Sequence, residues 1–322
     1  MPLRPISHPK KIYLSDVLRF FLENLLKIFF IFTILPFNRE GIYFFAFLGY
    51  NLGMYPYEIG GVITLYGILV ALGVLACFVV FWLLAKHDKV DKRYVDFITI
   101  IGVVAAAGGF GFAALFQSLY DYIEDPSVGF RYNGLTFQGG LIGGAAIFLI
   151  LAFAFRNKYK GKLTDVLSSV PLGILLGHSI GRVGCVMAGC CYGLPTDSWI
   201  GVAFIDPATG LPMEQKVIPT NLIEAVFLFV AFIVLLIIYL KKPHPYNLAL
   251  YMILYGIFRF VIEFWRGDDR GSLIPGLSPS QFWSLLMAIA GIPMLFVSRY
   301  AWKKRRAELA AQATSGDPSQ ND

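Results

Sequence analysis

Val166-Leu-Ser-Ser-Val-Pro-Leu-Gly-Ile-Leu-Leu-Gly-His178-Ser-Ile-Gly-Arg182-Val-Gly-Cys185-Val-Met-Ala-Gly-Cys190-Cys191-Tyr-Gly193 is an apolar run that ends in glycines, one arginine and three cysteines. An apolar helix of this length reads as a membrane span, so its polar end lies at a membrane surface. An arginine at the mouth of such a helix is costly unless it meets an anionic partner. Gly181, Gly184, Gly189 and Gly193 let backbone amides approach a ligand closely, as in anion-binding nests. The stretch therefore reads as a site for an anionic head group.

The chain around it fits a membrane. Of 322 residues, 57% are hydrophobic and 15% charged, against about 25% charged in an ordinary soluble domain. The apolar residues come in long blocks, and alternating ten-residue strands are absent, which argues for helices rather than an outer-membrane barrel. Seven spans are predicted near 60–85, 96–118, 135–155, 164–183, 218–240, 246–264 and 279–298. The fold class expected is an all-α polytopic membrane protein. A small head formed by loop 184–217 and an N-terminal interfacial or extra membrane segment complete it. Residues 1–55 are read as that extension, 56–300 as the transmembrane catalytic domain, and 301–322 as a disordered tail.

Charge sets the orientation. Lys86, Lys89, Lys92, Arg93, Arg156, Lys158, Lys160, Lys162, Lys241, Lys242, Arg299, Lys303, Lys304, Arg305 and Arg306 all follow odd-numbered spans. The opposite loops hold only Arg131, Lys216, Arg266 and Arg270. The first side is expected to be cytoplasmic, which puts residues 184–217 on the outer face. The net charge of +6 comes in short runs between apolar blocks, so no nucleic-acid partner is expected.

Three further groups carry possible chemistry. Arg259, Glu263 and Arg266 are spaced i, i+4, i+7 and are expected on one helix face, with Glu263 offsetting one of the two positive charges. Gln138 stands at the entrance of a span whose Gly139, Gly140, Gly143 and Gly144 also suit close helix packing. Glu224 follows Thr220 and Asn221 at the start of the fifth span, where a solvated or ion-paired acid is the simpler reading. His178 is read as structural. His178, Cys185, Cys190 and Cys191 supply four N/S donors, but no C-x2-C pair exists. Neither a metal nor a cofactor is therefore expected, and a disulfide from Cys185 to Cys190 or Cys191 is the stronger alternative.

These residues resemble the prolipoprotein diacylglyceryl transferase family. The resemblance runs through Tyr66-Gly67, Gln138-Gly-Gly-Leu-Ile-Gly143, Gly181-Arg-Val-Gly184 to Gly193, Pro219-Thr-Asn-Leu-Ile-Glu224, Tyr255-Gly-Ile-Phe-Arg-Phe-Val-Ile-Glu-Phe-Trp-Arg266 and Leu277-Ser-Pro-Ser-Gln281. It covers roughly residues 60–300. It implies a bacterial inner-membrane transferase of lipoprotein biosynthesis, its site facing the periplasm. Such an enzyme moves the diacylglyceryl group of phosphatidylglycerol to the lipobox cysteine of a prolipoprotein signal peptide and releases glycerol 1-phosphate. The resemblance gives Arg182, Arg259, Glu263 and Gln138 as catalytic residues. Arg182, Arg259, Arg266, Tyr66, Gly139, Gly140, Gly184 and Gly193 are expected to bind the lipid. Two departures stand out: Gln138 where the family commonly has histidine, and Cys185 where many members have asparagine. A neutral amide is no base, so Glu263 or Glu224 is the alternative proton acceptor. Two other readings remain: a lipid-binding or transport protein using the same arginines without chemistry, and a Cys/His metal or thiol-redox enzyme.

Overall fold

The structure is a computed structural model that describes residues 64–132, 134, 136–204, 213–267 and 276–314. Expectations for the 1–55 extension fall outside those residues. The described residues hold eight α-helices and no strand: α1 (Leu65–His87), α2 (Lys92–Glu124), α3 (Phe137–Ala154), the single turn α4 (Leu163–Val166), α5 (Ser169–Met187), α6 (Thr220–Lys241), α7 (Asn247–Ile262) and α8 (Pro279–Thr314). Six of them are long and apolar enough to cross a membrane. The apolar part of α3, Gly139–Ala154, is a shorter seventh. All seven lie where the hydropathy blocks place them, and the chain is a multi-pass all-α membrane protein. Large apolar side chains such as Ile100, Ile150 and Phe296 are exposed on helix surfaces, as suits contact with acyl chains.

The chain forms two compact units. One is Leu84–Leu167, and the other takes the segments on either side of it. In the first unit, small residues bring α2 and α3 together. A Cβ on Gly109 would lie 3.0 Å from the Gly140 carbonyl, and one on Gly144 would lie 3.1 Å from that of Ala105. Thr136 adds a hydrogen bond of 2.5 Å from its hydroxyl to Gln117 Oε1.

The second unit uses the same device three times. α1 and α5 touch backbone to backbone: a Cβ on Gly73 or on Gly177 would lie 2.7 Å from the other's carbonyl oxygen. α7 and α8 close over Gly256, where a Cβ would stand 2.7 Å from the Ser284 carbonyl. α5 and α6 are joined by Ser179, whose hydroxyl donates to the Ala225 carbonyl at 2.8 Å. Leu69, Val183, Met187 and Ala225 form an apolar cluster there. In lipid, association rests on such close packing and on hydrogen bonds between helices rather than on expulsion of water.

Two expectations are corrected. α8 runs to Thr314, so the disordered tail does not begin at residue 301. The segment after Trp302 is rich in Ala, Lys, Arg, Glu, Leu and Gln, all strong helix formers. Arg259, Glu263 and Arg266 also do not share one helix face. The α-helix ends at Ile262, a 3-10 turn takes Glu263–Trp265, and Arg266 is extended and bridged to Gly193.

Candidate active site

The site is built on the ends of α1, α5, α6, α7 and α8 in the larger unit. α5 carries His178 and Arg182 four residues apart, one turn below its C-terminus, so both point to the same side. α6 opposes them with Glu224. Its carboxylate is fully buried, and Oε1 lies 2.9 Å from Arg182 Nε. Tyr255 of α7 donates to the same oxygen at 2.7 Å, and His178 Nε2 is 3.9 Å from it. The His178 ring meets Tyr255 edge-on at 4.8 Å, and its Nδ1 is 3.2 Å from the Tyr251 hydroxyl. Glu224 Oε2 has no hydrogen-bond partner among the described residues.

One turn beyond Tyr255 on α7, Arg259 makes the second pair. Its Nη1 is 2.5 Å from Glu263 Oε2, and its Nη2 donates to Ser280 at 3.2 Å. Both Arg259 and Glu263 are buried. Glu263 Oε1 accepts from Ser278 at 2.9 Å. Ser278 and Gln281 cap α8 reciprocally: the Gln281 amide donates to Ser278 Oγ at 3.2 Å, and the Ser278 amide to Gln281 Oε1 at 3.1 Å. This is a capping box, and it fixes the helix start that holds Arg259. Tyr255, which bonds Glu224, and Arg259 stand one turn apart on α7, so the two pairs belong to one site.

Arg266 is the third guanidinium. It is buried and donates to the Cys191 carbonyl at 2.9 Å. Its neighbour Trp265 accepts from the Leu194 amide at 2.9 Å, and Gly193 donates to the Ile218 carbonyl at 2.7 Å. A side chain at Gly193 would run into the Trp265 carbonyl, which is why glycine stands there. Thr220 and Asn221 lie inside the first turn of α6, after its N-cap residue Pro219, and Asn221 Oδ1 accepts from the Leu222 amide at 2.8 Å. Their side chains donate to the carbonyls of Cys191 and Cys190, at 3.0 and 2.8 Å. The loop after α5 is thus clamped by α6 on one side and by the end of α7 on the other.

The three cysteines converge. Their Sγ atoms all lie within 4.8 Å of one another, and no disulfide joins them. Hydrogen bonding among them splits the two outer thiols: contact with Cys185 and Cys190 lowers the pKa of Cys191, and contact with Cys185 and Cys191 raises that of Cys190. Tyr66, in the first turn of α1, stands in electrostatic range of Arg182 and of all three sulfurs. A Cβ on Gly184 would lie 3.2 Å from the Tyr66 ring, so this glycine packs against Tyr66, whereas one on Gly181 would meet nothing within 4 Å.

Of the sequence-predicted residues, Arg182, Arg259, Glu263, Arg266, Tyr66, Gly184 and Gly193 come together in this unit. Gln138, Gly139 and Gly140 belong to the Leu84–Leu167 unit, in the first turn of α3. There Gly139 and Gly140 face α2 at Phe116 and Ala113. Glu224 is more than a helix-start acid, because it is the buried counter-ion of Arg182. Tyr255, Ser278 and Ser280 also enter the site. The Ser-x-x-Gln spacing of 278–281 is the sequence signal that marks Ser278 and its capping partner Gln281.

Among the described residues, three guanidiniums and two carboxylates make up this arrangement, and the planar forks of Arg182 and Arg259 suit the oxygens of a phosphodiester monoanion.

Residues 55–297 match the family model for prolipoprotein diacylglyceryl transferase. The chain is similar to the phosphatidylglycerol–prolipoprotein diacylglyceryl transferase 2 of Clostridium perfringens, with 32% identity over 76% of this chain and 94% of that protein. It is likewise similar to the corresponding transferase of Dehalococcoides mccartyi, with 34% identity over 79% and 96%. That of Chlorobaculum tepidum is 35% identical over 73% and 86%.

Proposed function

The chain belongs to the prolipoprotein diacylglyceryl transferase family, and from that premise we propose how its residues carry the transfer. The protein is a transferase that moves the diacylglyceryl group of phosphatidylglycerol to prolipoprotein. The acceptor atom is the thiol of the lipobox cysteine at the end of the signal peptide. The reaction takes place at the outer face of the bacterial cytoplasmic membrane, the orientation that fifteen basic residues on the other side favour.

In the proposed reaction, the acceptor sulfur attacks the glycerol carbon that bears the phosphate ester. The carbon–oxygen bond breaks, and glycerol 1-phosphate leaves with the electron pair. Arg182 and Arg259 hold the phosphodiester and stabilise the charge that grows on the departing phosphate. Each is aimed by its own carboxylate, Glu224 or Glu263, before substrate arrives. Electrostatic groups fixed in advance cost no reorganisation at the moment of reaction. Arg266 holds the loop wall through Cys191. The observation that carries this reading is the two Arg–Glu pairs, the first bonded to Tyr255 and the second one turn further along the same helix α7.

The test is direct. Purified protein, labelled phosphatidylglycerol and a lipobox peptide yield a lipidated peptide, and Arg182→Ala and Arg259→Ala yield none. Lipid binding without product by the wild type would favour a lipid-binding or transport role.

A further inference from the structure

Thiol alkylation needs a thiolate, and neither carboxylate of the arginine site is matched to making one. A free thiol ionises near pH 8.5, whereas carboxylates ionise about four units lower. Glu263 has both oxygens engaged, and Glu224 is the counter-ion of Arg182. Gln138 has no titrating group.

The three-cysteine cluster beside that site is built into the backbone. α5 ends in a Schellman turn: the Cys190 amide donates to the Cys185 carbonyl and the Gly189 amide to that of Val186, both at 3.1 Å. Gly189, at φ +59°, takes the left-handed position that the turn requires. This motif brings the residue at C3 against the residue at C″, a contact usually made by apolar side chains. Here the two are Cys185 and Cys190. Cys191 then adopts φ +62°, which is costly for a residue with a Cβ and turns the third sulfur toward the other two. Asn221, Thr220 and Arg266 hold the Cys190 and Cys191 carbonyls in place. The absence of a C-x2-C pair therefore does not keep the sulfurs apart.

We propose that Cys185, Cys190 and Cys191 form a three-thiolate zinc site whose fourth position takes the acceptor cysteine of the substrate. This rests on the transferase reading above and supplies its missing thiolate. Zinc–sulfur bonds of about 2.3 Å in a tetrahedron put sulfurs about 3.8 Å apart, so no pair has to close by more than about 1 Å. Three protein ligands with one open position is the pattern of catalytic rather than structural zinc. Cys190 and Cys191 are partly exposed while Cys185 is buried, which leaves one side open to an incoming ligand. Cys185 follows Arg182 by three residues on α5, so the metal stands on the same helix face as the phosphate-binding guanidinium.

The balance is simple. On coordination the acceptor thiol gives its proton to solvent, and the metal-bound thiolate attacks the glycerol carbon. The carbon–oxygen bond breaks toward phosphate, and the neutral thioether, a weaker ligand, leaves the zinc. No atom changes oxidation state.

The experiment uses the full chain in detergent, stripped with chelator and then titrated with zinc or cobalt(II). One metal per chain is expected, with thiolate-to-cobalt charge-transfer absorption. A cysteine lipobox peptide added without lipid shifts the cobalt ligand-field bands, and the serine version of the peptide does not. Zinc-loaded enzyme transfers at a rate that changes little between neutral pH and about 8.5, the region in which a free thiol ionises. Stripped enzyme is slower by at least about tenfold at neutral pH and gains as pH rises. Failure to bind one thiolate-ligated metal, a disulfide between any two of the three cysteines in active enzyme, or wild-type transfer with the same pH profile from C185S/C190S/C191S would each overturn the zinc proposal. The cobalt spectra need no variant, so a folding defect in the triple mutant does not blunt the test. Equal rates from stripped and zinc-loaded enzyme at neutral pH would leave the transferase reading intact while zinc fails. No product in any metal state or at any pH would sink the transferase reading itself.

Discussion

Arg182 on α5 and Glu224 on α6 form an ion pair at 2.9 Å in which the carboxylate is fully buried and the guanidinium largely so. Removing one partner of such a pair leaves an uncompensated charge, which costs about 3–5 kcal/mol. Arg182→Ala is therefore expected to lower thermal stability as well as to abolish transfer. The double variant Arg182→Met/Glu224→Leu removes both charges and should recover most of that stability without recovering activity. Unfolding curves and the lipidation assay on the same preparations separate the two effects. Activity in the stable double variant would remove Arg182 from the chemistry.

Arg259 reaches Glu263 and Ser280 with different nitrogens of one planar group. Lysine carries the charge but not the fork, so Arg259→Lys should retain folding and lose at least about a hundredfold in transfer, in line with the loss of one preorganised donor. Gln138→Ala should be milder. Near-wild-type kcat/KM for Arg259→Lys would show that charge alone suffices there.

Two glycines give opposite expectations for the same substitution. Gly193→Ala places a methyl group in the Trp265 carbonyl and should break the bridge to Arg266, with loss of both stability and transfer. Gly181 lies inside α5, and a methyl group there meets nothing within 4 Å. Gly181→Ala should raise stability by about 0.5–1 kcal/mol through the helix preference for alanine. Measured melting temperatures for the pair check the contrast, and equal destabilisation by both would contradict it.

His244 links α6 to α7 and gives a pH dependence of defined sign. Burial holds its pKa below the ordinary 6.5, and its Nδ1 accepts from the Tyr246 amide at 3.2 Å as a neutral ring. The unfolded chain thus binds the proton more readily. This stabilising contribution is complete above about pH 6.5 and is lost as pH falls from there through the folded-state value. Wild type should lose more stability than His244→Gln on going from about pH 7 to pH 5. Parallel slopes for the two proteins would remove His244 as the cause.

The spans were legible because a block of about 20 apolar residues has few alternatives to crossing. Arg182, Arg259 and Glu263 were legible because charge inside such a block needs a reason. The partner of Arg182 was not, since Glu224 sits at a helix start where an exposed acid is ordinary. Only the tertiary approach of α5 to α6 distinguishes the two cases. The i+7 placement of Arg266 failed because periodicity does not report where a helix unwinds. Nor does spacing reveal that a Schellman turn plus one left-handed residue gathers three sulfurs.

α8 begins by holding Arg259 through Ser280 and ends at Thr314. At 1.5 Å per residue its 36 residues measure about 54 Å, against a hydrocarbon core of about 30 Å. In the orientation proposed above, one helix, with Pro293 inside it, joins the arginine site to the aqueous cytoplasm. Its far end is thus a handle for fluorophores, crosslinkers or tethers, several nanometres from the chemistry.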